Sequence, residues 1–255
     1  MTSRVTDAFE SGEALRCSRC GLRHLCLPAI LSATEIQELE QSLSGRRSLR
    51  KGEILYRIGD PLEELTFIRS GGIKLISSQH GREQVVGFYL PGEVLGLEAL
   101  QYRVHTCRAV ALEPTVVCVF PHQRFRNLCR RHAHLMDAYE ALTGRELSHE
   151  HELLLLHGQH SALERLCYFL ISMATRRELR GTSPTDFRLP MNRDDLGNYL
   201  GLAPETLSRL FKELAAQGLV SVRAKRIRLL DLPGLKQLLD TCRECPAEEL
   251  AEGTL

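Results

Sequence analysis

The sequence predicts an α+β chain: an antiparallel β-barrel or sandwich, then a long helix, then a small winged helix-turn-helix unit. Three observations carry this. Residues 49–121 hold strand-length apolar runs split by Gly and Pro (EILYRIGD, ELTFIRSGGIKLISS, EQVVGFYLPGEVLG, CRAVALEPTVVCVFP), the spacing of an antiparallel β unit. From about His122 to His157 the pattern turns helical, with a broad apolar stripe through Met136, Tyr139, Leu142, Leu147, Leu153, Leu154 and Leu156. Residues 192–220 (NRDDLGNYLGLAPETLSRLFKELAAQGLV) read as two helices joined by Gly201-Leu202-Ala203. The expected divisions are a cysteine-rich segment 1–30, a β unit 31–125, a long helix 126–158, the helix-turn-helix unit 159–238 and a tail 239–255.

A short helix is expected from Ala33 to Leu43, with Thr34 accepting from first-turn amides as its N-cap. Ser70-Gly71-Gly72 and Gln79-His80-Gly81 are turn signals within the β unit. The stripe of the long helix is flanked by Glu140, Glu146, Glu150 and Glu152. One small domain cannot cover so broad a stripe, so a second copy is expected along it as a parallel dimer seam. An ordinary long core helix would carry the same pattern. Helical periodicity continues through 161–178 and breaks at Gly181 to Pro184.

In the last unit Asn192 is suited to cap a helix running to about Leu200. Gly201 permits the turn, Pro204 fits the first position of the next helix, and Gly218 stops it. Leu196, Tyr199, Leu200, Leu207, Leu210 and Leu214 are the expected packing residues. Glu205, Ser208 and Arg209 stand at i, i+3 and i+4 and so share one face. Their chemistry suits base edges: Arg to guanine O6 and N7, Glu to cytosine N4, Ser to either. A hairpin follows around Arg223-Ala224-Lys225-Arg226, a basic tip suited to phosphate. A solvated helix face would look similar in isolation, but the Gly turn, the Pro start and the basic wing together favour double-stranded DNA.

The chain has 255 residues, 43% hydrophobic and 25% charged, with a net charge of only +1, so DNA binding must rest on a local basic face. No apolar run approaches the roughly 20 residues that span a bilayer. The N-terminus shows no secretory h-region, and a cytoplasmic protein is expected. Trp is absent and aromatics make up 5%, against a stacking platform for single strands. No metalloprotease, G-x-S-x-G, P-loop or Rossmann pattern appears, against an enzyme.

Nine cysteines are many for such a chain, and structural disulfides are not expected in a reducing compartment. Cys17, Cys20 and Cys26 form C-x2-C-x5-C, a spacing that serves zinc or an iron–sulfur cluster and needs a fourth ligand from elsewhere. Cys167, in LCYFLI, reads as core. Cys242 and Cys245 form a second C-x2-C, a pattern that serves a redox pair or a metal half-site but reads first as an exposed tail.

These features together resemble the Crp–Fnr superfamily of transcription regulators, above all its oxygen-sensing Fnr/Anr branch. The resemblance covers residues 17–235 through GDP, RSGGIKLI, GFYLPGEVLG, the long helix and LGNYLGLAPETLSRLFKELAAQGLV. It implies a cyclic-nucleotide-binding-type β-barrel of jelly-roll form, a dimerisation helix and a winged helix-turn-helix. It implies Glu205, Ser208 and Arg209 as readers of palindromic TTGAT-like half-sites, and RNA polymerase contacts, partly from a loop at about Ser78 to Gln84. It places the fourth ligand at Cys118, with Cys107 in reserve. Cys17, Cys20, Cys26 and Cys118 would then hold a [4Fe–4S] cluster that promotes the homodimer and that oxygen converts to [2Fe–2S]. The seam would include Met136, Leu147, Glu150 and Leu154, where carboxylates facing each other repel. Arg19 and Gly21 depart from the family's pattern beside the ligands. A cyclic-nucleotide receptor is the competing reading: Gly92-Glu93 is present, but His105-Thr106-Cys107 stands where Arg-Ser-Ala is expected, so the phosphate loses its guanidinium.

Overall fold

The structure, a computed structural model, describes residues 17–29 and 31–240. Cys242, Cys245 and residues 241–255 of the expected tail lie outside the described residues. The chain divides into two compact units, 1–154 with 190–199, and 155–189 with 200–255.

In the first unit the cysteine segment opens with a 3-10 turn at Cys17–Arg19, and a second follows at Leu27–Ala29. Helix α1 spans Ala33–Ser42. Its N-cap is Ser32, not Thr34. Ser32 Oγ accepts from Glu35 N at 3.3 Å, and Glu35 Oε2 accepts from Ser32 N at 2.8 Å, so a reciprocal capping box wins over a lone hydroxyl.

Eight strands follow: β1 Gly45–Leu49, β2 Ile54–Tyr56, β3 Glu64–Ser70, β4 Ile73–Gln79, β5 Arg82–Tyr89, β6 Val94–Leu95, β7 Arg108–Ala111 and β8 Thr115–Pro121. They form two four-stranded antiparallel sheets, β1-β8-β3-β6 and β2-β7-β4-β5. Gly71 takes φ +86° between β3 and β4, and a Cβ there would stand 2.4 Å from Thr115 Oγ1. This turn therefore requires glycine.

Period-two alternation gives the first sheet two buried faces. Val117 and Val119 of β8 and Ile68 of β3 join Leu49, Ile73, Leu75 and Ala109 inside the barrel. Leu65, Phe67 and Phe120 join the opposite, helix-covered cluster. Cys118 lies between Val117 and Val119, so it too faces the helices and packs against that cluster.

Two helices complete the cover, α2 His122–Arg131 and α3 Ala133–Gln159. The single helix expected from 126 to 158 is thus broken. His132 is extended at φ −126° and ψ 107°, and its Nε2 lies 3.1 Å from Glu38 Oε2 on α1. Edge-on ring contacts run from Phe67 to Phe120, Phe125 and Tyr139, at centroid distances of 5.3, 6.1 and 5.3 Å, tying sheet to α2 and α3.

In the second unit α4, Ala162–Glu178, carries a capping box of Ser161 and Glu164. Cys167 is fully buried in it, as its apolar run predicts. Strand β9, Asp186–Arg188, leads to α5, Arg193–Leu200, a helix that belongs with the first unit. There Asp195 pairs with Lys74 of β4. Helix α6, Pro204–Ala216, strands β10 Val220–Arg223 and β11 Arg226–Leu229, and α7 Leu232–Asp240 complete the second unit. Its sheet runs β10-β11-β9, all antiparallel.

Candidate nucleic-acid interface and thiol cluster

The helix-turn-helix signals fall where the sequence places them. Asn192 Oδ1 accepts from Asp195 N at 2.7 Å. Gly201 takes φ +63°, and Arg165 Nη1, which donates to Leu200 O at 2.7 Å, would stand 3.2 Å from a Cβ there. Pro204 occupies the first turn of α6. Leu207, Leu210, Phe211 and Leu214 bury one face of that helix, while Glu205, Ser208 and Arg209 are exposed on the other. Arg209 makes no ion pair with a described residue. This is a free, mixed donor and acceptor surface at the N-terminal end of a helix, where base edges are read.

The β10–β11 hairpin turns through Ala224, at φ +52°, and Lys225. Arg223 is exposed at its tip. Arg226, expected to serve phosphate, is exposed but held by its own chain: Nε and Nη2 donate to Asp186 at 2.7 and 2.9 Å. Arg228, which sequence reasoning missed, shares the same carboxylate at 3.2 Å. Both guanidinium groups hold the Asp186 carboxyl at about 2, the Arg226 hydrogen bond contributing most. Two arginines on one aspartate still leave net positive charge on the wing.

In the first unit Cys17 and Cys26 pack against the same helix-side cluster as Cys118. The segment that carries them is pinned at both ends. Ser18 N and Oγ both donate to Glu40 Oε1, at 3.0 and 3.2 Å. Leu25 closes on Gly92, whose φ is +92° and whose absent Cβ would sit 3.0 Å from Leu25 Cβ. The thiols feel one another. Burial first, then Cys118, Glu40 and Cys20, push the Cys17 thiol up to about 12. Burial and then the Cys17, Cys118 and Cys20 charges raise Cys26 further, against a backbone bond at Leu27. Burial raises Cys118 too, while the Arg46 and Arg69 guanidinium groups pull it down.

Arg46 is the cross-strand partner of Cys118, and its Nε is buried with no hydrogen-bond partner. Sequence reasoning missed it, because the pairing depends on the β1–β8 register. Cys107 belongs to the barrel-interior cluster, on the far side of the sheet from Cys118. Among the described residues no three His, Cys, Asp or Glu side chains close tightly enough to grip a single ion. The four thiols share one region without that closure.

The barrel interior holds its own polar network. His105 is buried, stacks on Tyr56 at 3.6 Å and places Nδ1 2.8 Å from Glu98 Oε1. Tyr89 donates its hydroxyl to Glu146 of α3. Glu93 Oε2 accepts from Leu90 N at 2.9 Å within its own turn.

On α3, Leu147 and Leu154 are 57% and 70% exposed, with exposed Glu150 between them. Met136, expected on the same seam, is half-buried and packs against the helix-side cluster of its own unit.

Comparison with known proteins agrees with this architecture. Residues 46–132 match the cyclic nucleotide-binding domain and residues 164–238 the Crp-like helix-turn-helix domain. A sensor-type β domain joined to such a reader defines a DNA-binding transcription regulator, not an enzyme. The chain is 36% identical to the fumarate and nitrate reduction regulatory protein of Vibrio cholerae, over 91% of this chain and 94% of that one. It is 35% identical to the anaerobic regulatory protein of Pasteurella multocida, over 95% and 90%. Among solved structures it is similar to FixK2 from Bradyrhizobium japonicum, with a TM-score of 0.70 and 31% identity over 76% of this chain and 96% of that one. The chain belongs to the Crp/Fnr family of transcription regulators.

Proposed function

We propose that this chain is a cytoplasmic, oxygen-responsive regulator of anaerobic gene expression that binds palindromic TTGAT-like operators as a homodimer. Cys17, Cys20, Cys26 and Cys118 would hold an iron–sulfur cluster. One observation carries the reading: an N-terminal turn bearing three thiols is fastened onto the outward face of β8, where the fourth thiol emerges beside the unpartnered Nε of Arg46. Four thiolates form a soft, strongly negative donor set suited to iron. A half-buried guanidinium with a buried Nε is the complement such a charge requires. Relatives named for anaerobic regulation lend weight to the same reading.

When bound, the group would supply an oxygen-labile centre, [4Fe–4S] in the active form and [2Fe–2S] after oxygen. The chain's own residues do the rest. The thiol segment bridges α1 and the β5–β6 turn beside α3. Leu147 and Leu154 offer α3 an apolar seam to a second copy, and Glu150 opposes that seam by like-charge repulsion across the two-fold. Glu205, Ser208 and Arg209 then read bases, with Arg223, Lys225 and Arg226 on phosphate. RNA polymerase would meet the exposed β4–β5 turn at 78–84.

A cyclic-nucleotide receptor is less well supported. No arginine stands at 105–107, and the buried His105 keeps a carboxylate where a phosphodiester would need a cation. The test is anaerobic purification. The expected protein shows broad visible absorbance and about four iron per chain, bleaches in air and loses operator affinity with it. Colourless protein with stoichiometric zinc removes the iron reading.

A further inference from the structure

A cavity of ≈ 410 Å³ opens between α2, the root of α3 and the loop at 100–103. Its polar side chains are Arg103, Arg126, Arg130, His122, Gln101 and the Tyr139 hydroxyl, and among the described residues no carboxylate lines it. None of the three arginines forms an ion pair with a described residue. Arg130, with Arg131, sits in the last turn of α2, where the helix dipole favours a cation. Arg126 has no such reason. It stands four residues before Arg130 on a helix without acids, where like charges repel. Arg103 is set by a backbone at φ +61°, a conformation that non-glycine residues adopt only when the surroundings impose it.

His122 makes the demand for a ligand specific. It is 4% exposed. Burial first, then Arg103 and Arg126, hold its ring down at about 4, so it is neutral near pH 7. Arg103 Nη1 lies 2.9 Å from its Nδ1 and 3.1 Å from its Nε2. Two distances so nearly equal place Nη1 over the ring face, not in line with either nitrogen's lone pair, and the neutral ring carries one N–H. That N–H meets no acceptor among the described residues. A buried donor left unpaired is unfavourable, and here it lines a space already rich in uncompensated positive charge.

We propose that this cavity binds a small organic anion, a carboxylate or phosphate group held by Arg103, Arg126 and the His122 N–H. A flat apolar body would rest on Phe125, Met136 and Tyr139. The mix of apolar wall and few convergent donors is that of a small-ligand site. It needs neither iron nor DNA, and it grips the junction of α2 with α3, the helix that bears the exposed leucine seam.

Titration calorimetry on the full chain tests this with benzoate and phenyl phosphate. Inorganic phosphate supplies charge without a body, and benzyl alcohol a body without charge. At least one aromatic anion should bind saturably and more tightly than either control, and the arm that wins identifies the head group. Arg126→Gln, at an exposed position, should weaken that binding about tenfold, the loss of one charge-assisted hydrogen bond, with the melting temperature of the free protein unchanged. His122→Phe should weaken it as well. No saturable binding overturns the proposal. So do equal affinity for inorganic phosphate, and binding that survives Arg103→Gln with Arg126→Gln.

Discussion

Leu154→Ala isolates the seam of α3. In a single chain this side chain is 70% exposed, so its removal leaves no cavity and should change the stability of the monomer by no more than about 0.5 kcal/mol. In a dimer the same surface is covered. Full burial of a leucine stabilises by about 1.5–3 kcal/mol, and 70% of that is available here, about 1–2 kcal/mol per chain. Both chains lose it, giving about 2–4 kcal/mol, or a dimer dissociation constant raised about 30- to 1,000-fold. Sedimentation equilibrium of the anaerobic, iron-loaded protein measures that constant, and urea unfolding of the metal-free protein measures the monomer. Unchanged dimerisation refutes the seam. A loss of monomer stability equal to the loss of dimer refutes the single-chain exposure on which the magnitude rests.

Arg209→Ala should cost about 1–3 kcal/mol at the operator while leaving random-sequence affinity intact; equal loss on all sequences in a gel-shift titration removes Arg209 from base reading. Cys118→Ser should abolish anaerobic iron retention and Cys107→Ser should not, since Cys118 packs against the helix-side cluster and Cys107 is buried in the barrel interior; metal analysis of both variants decides. The Asp186 carboxyl is held below its unfolded value, so its stabilisation of the wing is complete above about pH 4 and fades as pH falls through about 2. Asp186→Asn should remove that acid-range dependence, seen by circular dichroism, and should steepen the salt dependence of DNA binding by releasing Arg226 and Arg228.

The reader was legible because its signals are local. An Asn cap, a left-handed Gly and a first-turn Pro each act within a few residues, and each falls where the sequence put it. The β unit was legible from alternation and turn residues. What escaped depends on partners distant in the chain. At the break His132 meets Glu38 of α1, a contact that helical periodicity cannot see. Arg46 meets Cys118 only through strand register, and Arg226 meets Asp186 only because a third strand joins the wing. Met136 fits the helical stripe and, half-buried, also packs against the cluster of its own unit. The misplaced cap at Thr34 is a different kind of error. Ser32-x-x-Glu35 was present in the sequence, and a reciprocal pair should outrank a single hydroxyl.

The two-sidedness of β8 constrains anyone who would redesign it. Moving the sulfur one place along, to Val117 or Val119, would turn it into the barrel and take it from the helix-side cluster. A shift by two, to Val116 or Phe120, preserves the outward aim but leaves the cross-strand companions Arg46 and Phe67 behind. A transplanted version of this thiol arrangement therefore has to carry three adjacent strands as one block, because the cysteine's address is written across the sheet and not along the chain.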